Sequence, residues 1–284
     1  MRALAASIED VFREAAARWT LLAYFVLSSL FVLIFAMAVN LDIVDGALAG
    51  VKLFGQEVHM GRARVDVDKL VLGFESGFSA FLYLVGTFLA IFATAHLVPR
   101  LQDKGTIDLY LSRPVGRMRL LLFRYTAGLL LAATNIAYLL GSIWLIVIWK
   151  THVVHPRFLL GGLVILFTTA TLLAFVFLVG VVTSSTAVSI MTAYGIFFFS
   201  AILVAHEKIA ALVSSEWKAT LVHALYWICP KTSEMGKAVV MLVGGPDGSV
   251  RIADAVSLLP FASTAAFGLG CLALAAWLFE RKDF

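Results

Sequence analysis

Apolar positions gather along the chain into six long runs, at about 20–39, 77–98, 120–148, 158–182, 187–205 and 256–279, with polar intervals between them. Within each run apolar residues follow one another without the alternation of a half-buried strand, so the pattern predicts helices. Each run reaches the roughly 20 residues that a helix needs to cross a hydrocarbon core. The first 19 residues behave differently. Leu4, Ile8, Phe12, Ala15 and Trp19 recur at helical spacing opposite Arg2, Glu9, Arg13 and Glu14, which predicts an amphipathic helix lying along the membrane surface. Glu9, Asp10 and Glu14 also argue against a cleavable signal, because no short apolar core precedes a cleavage site. The expected fold is therefore an all-α membrane protein, with an interfacial helix at 1–19 and a six-span domain over 20–284.

Composition sharpens this reading. The 284 residues are 61% hydrophobic and 14% charged, with a mean hydropathy of +0.96, too little charge to cover a soluble domain of this length. The net charge of +4 is spread along the chain without a basic face or tail, so no nucleic-acid partner is expected. Membrane lipid is. Cys271 falls inside the last run and Cys229 in a loop, so no disulfide framework is expected.

Six spans place both termini on one side. If that side is the cytoplasm, the inner segments 1–19, 99–119, 183–186 and 280–284 hold ten Lys and Arg. The outer segments 40–76, 149–157 and 206–255 hold eleven over about twice the length. The positive-inside rule thus predicts cytoplasmic termini. The cluster Arg100, Lys104, Arg113, Arg117 and Arg119, flanking span ends, decides the orientation.

The runs contain almost no ionisable chemistry. His96 lies near the inner end of the second run, Arg124 is placed to snorkel to the inner interface, and Asn135 suits a helix-packing hydrogen bond. No Asp, Glu, Lys or Arg sits where an ion-coupled transporter binds its driving ion. "HEKIA" at 206–210 begins like a zinc-protease motif, but Ala210 stands where the second His must be. Asp45-Gly46 with Asp66 and Asp68 matches no calcium loop and is read as a solvated segment. There is no G-x-x-x-x-G-K-[ST] to cradle a phosphate. No catalytic, metal or cofactor site is expected in this chain. It is a conduit powered from outside, or a scaffold that recruits a cytosolic partner without moving anything.

The candidate site is the polar interval "DKGTIDLYLSRPVGRMR" at 103–119. Gly105 ends the preceding helix, Thr106 is an N-cap, and Asp108 suits the positive helix end. Ile107, Tyr110 and Leu111 form one apolar stripe over two turns, and Pro114 closes the element after Arg113. So short a helix is unstable alone and needs a docking partner, or the headgroups to lie upon.

The run "KGTIDLYLSRPVGRMRLLLFRY" resembles the cytoplasmic signature of type-2 ATP-binding-cassette (ABC) permeases. The likeness extends to the interfacial helix, the six spans, the short turn "TSST" at 183–186, and "ALYWICPKTSEMGKAVVMLVGG" at 224–245, which is similar to the family's outer helical hairpin. Lys104 stands where the family often has an acid. The chain is similar to members that are separate from their ATPases, such as the permease of the nitrous oxide reductase maturation system. The resemblance implies a coupling helix at about 105–113, seated in a groove of an ATPase subunit that binds the ATP and Mg. Gly105, Thr106, Ile107, Asp108, Leu109, Tyr110 and Leu111 would dock, with Arg113 and Arg117 as polar anchors. It implies an exporter of two permeases and two ATPases in a prokaryotic inner membrane, with an outer segment over 206–255.

Overall fold

The computed structural model describes residues 20–44, 47–53, 56–58, 67–102, 116–212, 216–244 and 258–282. The interfacial helix at 1–19 and the coupling helix at 105–113 lie outside the described residues, as do Asp45, Gly46 and Asp66.

Helix α1 (Thr20–Ala38) leads into a three-stranded antiparallel meander, β1 (Val39–Val44), β2 (Ala47–Leu53) and β3 (Gln56–Val58). Val39 pairs with Leu53 and Asp42 with Gly50, after which the register slips by a bulge; Val51 pairs with Val58. Then follow α2 (Val67–Thr94), α3 (Leu97–Leu101), α4 (Arg117–Thr151), α5 (Arg157–Thr183), α6 (Thr186–Leu203), α7 (His206–Leu212), α8 (Glu216–Ile228), α9 (Thr232–Gly244) and α10 (Leu258–Arg281). The membrane part is all-helical, as expected. The sheet is an addition to it.

Five helical stretches are long and apolar enough to cross a membrane: Val71–Leu101, Arg117–Thr151, Arg157–Thr183, Thr186–Leu203 and Leu258–Arg281. Helix α1 has 19 residues and is a shorter apolar candidate. The second helix begins earlier than the expected 77, at Val67. Helix α4 has 35 residues, about 52 Å at 1.5 Å per residue.

Helix α5 is apolar all round and forms the hub, packing against α2, α4, α6, α9 and α10. Leu172, Leu173 and Phe177 on it are fully buried. Large apolar side chains such as Met191, Leu163 and Leu269 instead face outward, as the surface of a bundle in lipid requires.

Two breaks shape the end of the bundle where 103–115 begins and ends, here termed the loop end. Pro99 has no N–H to offer Ala95, so α2 stops at Thr94 and the chain restarts as α3, with Pro99 in its first turn. Between α5 and α6, Ser184 is left-handed (φ 53°) and its N–H donates to Gly180 O at 2.9 Å. Ser185 then caps α6, its hydroxyl accepting from Val188 N. Two residues suffice to reverse the chain, the short turn expected at 183–186.

Candidate functional site

Short helix α3 is wedged into the bundle by two glycines. A Cβ on Gly128 of α4 would lie 2.6 Å from Leu97 Cδ1, and one on Gly180 of α5 would lie 3.2 Å from Val98 Cβ. Hydrogen alone lets both helices close on α3. Around it Leu97, Val98, Leu101, Leu121, Leu173, Phe177, Ala276 and Phe279 form a separate apolar cluster. Gly128 and Gly180, together with buried Ala193, serve close packing, the reading that small residues in apolar helices favour.

Below this cluster lies a polar junction. Gln102, the last described residue before 103–115, donates Nε2 to Gly180 O at 2.8 Å. Its Oε1 accepts from Ser184 Oγ at 2.8 Å and from Lys282 Nζ at 2.5 Å. Lys282 Nζ also donates to Val181 O at 2.7 Å and Ser184 Oγ at 3.0 Å. An ammonium has three protons, and all three find oxygens. Burial pulls the Lys282 pKa below the usual lysine value. On the other side of 103–115, Arg117 donates Nη1 to the Lys282 carbonyl at 2.7 Å.

Of the docking residues expected from sequence, only Arg117 lies among those described. Gln102, Ser184 and Lys282 were not singled out, since "TSST" reads as a plain turn and "ERKDF" as a charged tail. Arg124 departs from expectation. It is 3% exposed, on the face of α4 that also buries Leu121 and Gly128, so the bundle covers its side chain.

A second polar site closes the opposite end. Lys231, between α8 and α9, is 2% exposed. Its N–H donates to Thr264 Oγ1 and its Nζ to Ser263 Oγ at 2.9 Å. The ammonium also lies 4.5 Å from the Tyr226 ring and 4.6 Å from the Trp227 ring, within cation–π range. Burial lowers the Lys231 pKa, with Glu234 opposing. Tyr226 donates to Glu234 Oε1 at 2.6 Å, and burial and that carboxylate push its phenol up. Tyr83 donates to Thr232 O, and Thr232 donates to Phe197 O. These bonds pin the α8–α9 hairpin, with Pro230 at its bend, onto α2, α6 and α10. It is the helical hairpin expected around 224–245. Near this end Glu75, 1% exposed, meets His155 Nδ1 at 3.0 Å. Sequence reading missed Glu75 because the run was taken to start at 77. No group of metal-ligating side chains occurs among the described residues.

Between α2 and α6 an open groove of about 360 Å³ is lined by Leu84, Phe88, Leu89, Phe92, Tyr194 and Phe198. Phe88 and Tyr194 stack at 4.0 Å, and the Tyr194 hydroxyl donates to Phe88 O at 3.0 Å. With that phenol satisfied, the groove offers apolar contact.

Apolar membrane-length helices around a central α5, without a catalytic constellation among the described residues, define a multi-pass helical membrane protein. The family model described as ABC-2 family transporter protein matches residues 11–284, and the chain belongs to that family. It is a membrane component of an ABC transporter, a class that works with an ABC ATPase. No curated protein matches the chain.

Proposed function

We propose that the chain is the permease subunit of an ABC exporter whose separate ATPase docks at the loop end. The observation that carries this reading is the junction of Gln102, Ser184, Arg117 and Lys282, which ties both sides of 103–115 to α5, to the α5–α6 turn and to the residue that follows α10. A segment that merely linked two spans would need no such footing. A segment that receives force would.

In this reading Gly105, Thr106, Ile107, Asp108, Leu109, Tyr110 and Leu111 form the coupling helix, flanked by Arg113 and Arg117. Helix α1 is the first of six spans, and residues 1–19 lie along the inner face. The permease is a homodimer that binds two ATPases, which hold the ATP and Mg, and both termini are cytoplasmic in a prokaryotic inner membrane. As in separate-chain permeases such as that of the nitrous oxide reductase maturation system, the energy source is another polypeptide. The groove beside Phe88 and Tyr194 suits an apolar or amphiphilic cargo. Helix α8 turns Trp217, Leu221, Trp227 and Ile228 outward, a face that suits the outer leaflet.

The test is purification from native membranes. An ATPase carrying a phosphate-binding loop should co-purify, and its hydrolysis in vesicles should rise when an amphiphile is added. A permease recovered intact with no ATPase from several mild detergents would overturn the reading.

A further inference from the structure

Lys282 is the residue that follows α10, far from 103–115 in sequence, yet it reaches both sides of that segment. Its ammonium holds Gln102 on one side, and its carbonyl holds Arg117 on the other. The same ammonium bonds Val181 O and Ser184 Oγ, at the point where α5 turns into α6. Three protons and three oxygens leave no donor over.

The elements joined here are stiff. Helix α3 packs closely on α5: a Cβ on Gly180 would lie 3.2–3.4 Å from Val98 and Pro99. Helix α10 is locked onto α5 by Gly268, whose Cβ would lie 3.2 Å from Thr171 Cα, and by buried Ala275, Ala276 and Phe279. Movement entering at Arg117 therefore meets Lys282 before it reaches the α5–α6 turn, and movement entering at Gln102 reaches that turn both through this cation and through Gln102's own bonds to Gly180 O and Ser184 Oγ.

We propose that Lys282 is a positioning residue, a tie that transmits displacement of Gln102 and Arg117 to the α5–α6 turn and to α10. What drives that displacement rests on the reading under Proposed function; the tie itself does not. Lysine suits the place because a small ammonium satisfies three convergent oxygens, whereas the planar fork of arginine does not. Methionine keeps the stem and removes the donors. The backbone carbonyl that Arg117 uses is the same in both.

The first measurement uses the permease alone in nanodiscs, read by hydrogen exchange. Lys282→Met should speed exchange of amides 184–189 at least five-fold and leave α8 and α9 unchanged. The second uses the complex with its ATPase, with and without vanadate-trapped nucleotide. The unaltered complex should show a nucleotide-dependent change in both 103–116 and 184–189. In Lys282→Met the change in 103–116 should persist, while that in 184–189 should shrink at least two-fold, the remainder passing through Gln102's own bonds to Gly180 and Ser184.

Chemical rescue separates a lost ammonium from a damaged fold. Lys282→Cys, in a chain with Cys229→Ser and Cys271→Ala, should regain the response after alkylation with 2-bromoethylamine, which rebuilds a lysine-like side chain. Alkylation with bromoethane should not restore it. Unchanged exchange at 184–189 in Lys282→Met overturns the tie. An undiminished nucleotide response there, or rescue by both reagents alike, overturns the transmission. If the unaltered permease retains no ATPase, the functional reading falls, and exchange in the permease alone still decides the tie.

Discussion

Glu75 Oε2 and His155 Nδ1 lie 3.0 Å apart, joining the first part of α2 to the turn between α4 and α5. An ionised Glu75 accepts from His155 Nδ1–H, and a protonated one donates to Nδ1 of the other tautomer, so the contact is a hydrogen bond in either state. The same residue's carbonyl accepts from Trp144 Nε1 at 3.1 Å, which fixes the turn on α4. Glu75 has no solvent to fall back on.

His155→Ala should therefore cost more than Glu75→Gln. The first leaves a buried acid without its donor, a loss of about 1–3 kcal/mol, whereas the amide of the second still accepts through its oxygen. Thermal unfolding in detergent orders the two variants. Midpoints equal to that of the unaltered protein would show that the contact stabilises nothing.

This pair also shows where sequence reading stops. Hydropathy places the long helices because burial in lipid needs continuous apolar runs, and "TSST" at 183–186 is the short polar interval between two of them. Glu75 was lost because a window of apolar residues ends where a charge appears, although the helix continues to Val67. The meander was legible in principle: "VNLDIV" alternates at period two, and Asp45-Gly46 between two such runs is a hairpin signal. Its runs are too short to register as membrane-length. Lys282 left no local trace, since its three acceptors come from elements distant in sequence.

The glycines beside α3 should rank against their bare distances. The shorter contact, 2.6 Å at Gly128, is with Leu97 Cδ1, the far end of a flexible side chain that can turn away. At Gly180 the neighbours are Val98 Cβ and Pro99 Cδ at 3.2 and 3.4 Å, a β-branched residue and a ring that cannot. Gly180→Ala should destabilise by about 1–3 kcal/mol, as overpacking does, and Gly128→Ala by less. Unfolding midpoints in the opposite order would show that Leu97 is the more rigid neighbour.

The proposed orientation rests on the Lys and Arg that flank the expected span ends. In intact cells, Lys104→Cys and Arg117→Cys should be shielded from an impermeant thiol reagent, while Gln56→Cys and Asp247→Cys should be labelled. The native Cys229 and Cys271 are replaced first. Labelling at 104 and 117 with protection at 56 and 247 would invert the protein and remove the docking proposal with it.

Docking through the coupling helix is tested by breaking it without disturbing the bundle. Gly105→Pro with Leu109→Asp should leave the permease inserted and equally abundant, but with at least ten-fold less ATPase retained. Proline disturbs the helix start, and a carboxylate entering an apolar groove costs several kcal/mol unless it finds a partner. A full complement of ATPase on the double variant would place the contact elsewhere.

Assembly and energy supply stand or fall together. The sequence holds no G-x-x-x-x-G-K-[ST], and the six expected runs place no Asp, Glu, Lys or Arg near their midpoints, where coupling to an ion would need one. The groove between α2 and α6 is open along one side of a single copy, and a two-fold partner is the commonest way to close such a surface. The purified permease should therefore neither bind nor hydrolyse ATP by itself. With its partner it should form a complex of two permeases and two ATPases, whose hydrolysis disappears when the lysine of the ATPase's phosphate-binding loop is replaced. Native mass spectrometry that counts one permease per complex would defeat the stoichiometry. Hydrolysis by the permease alone, surviving loss of that lysine, would defeat the transport reading.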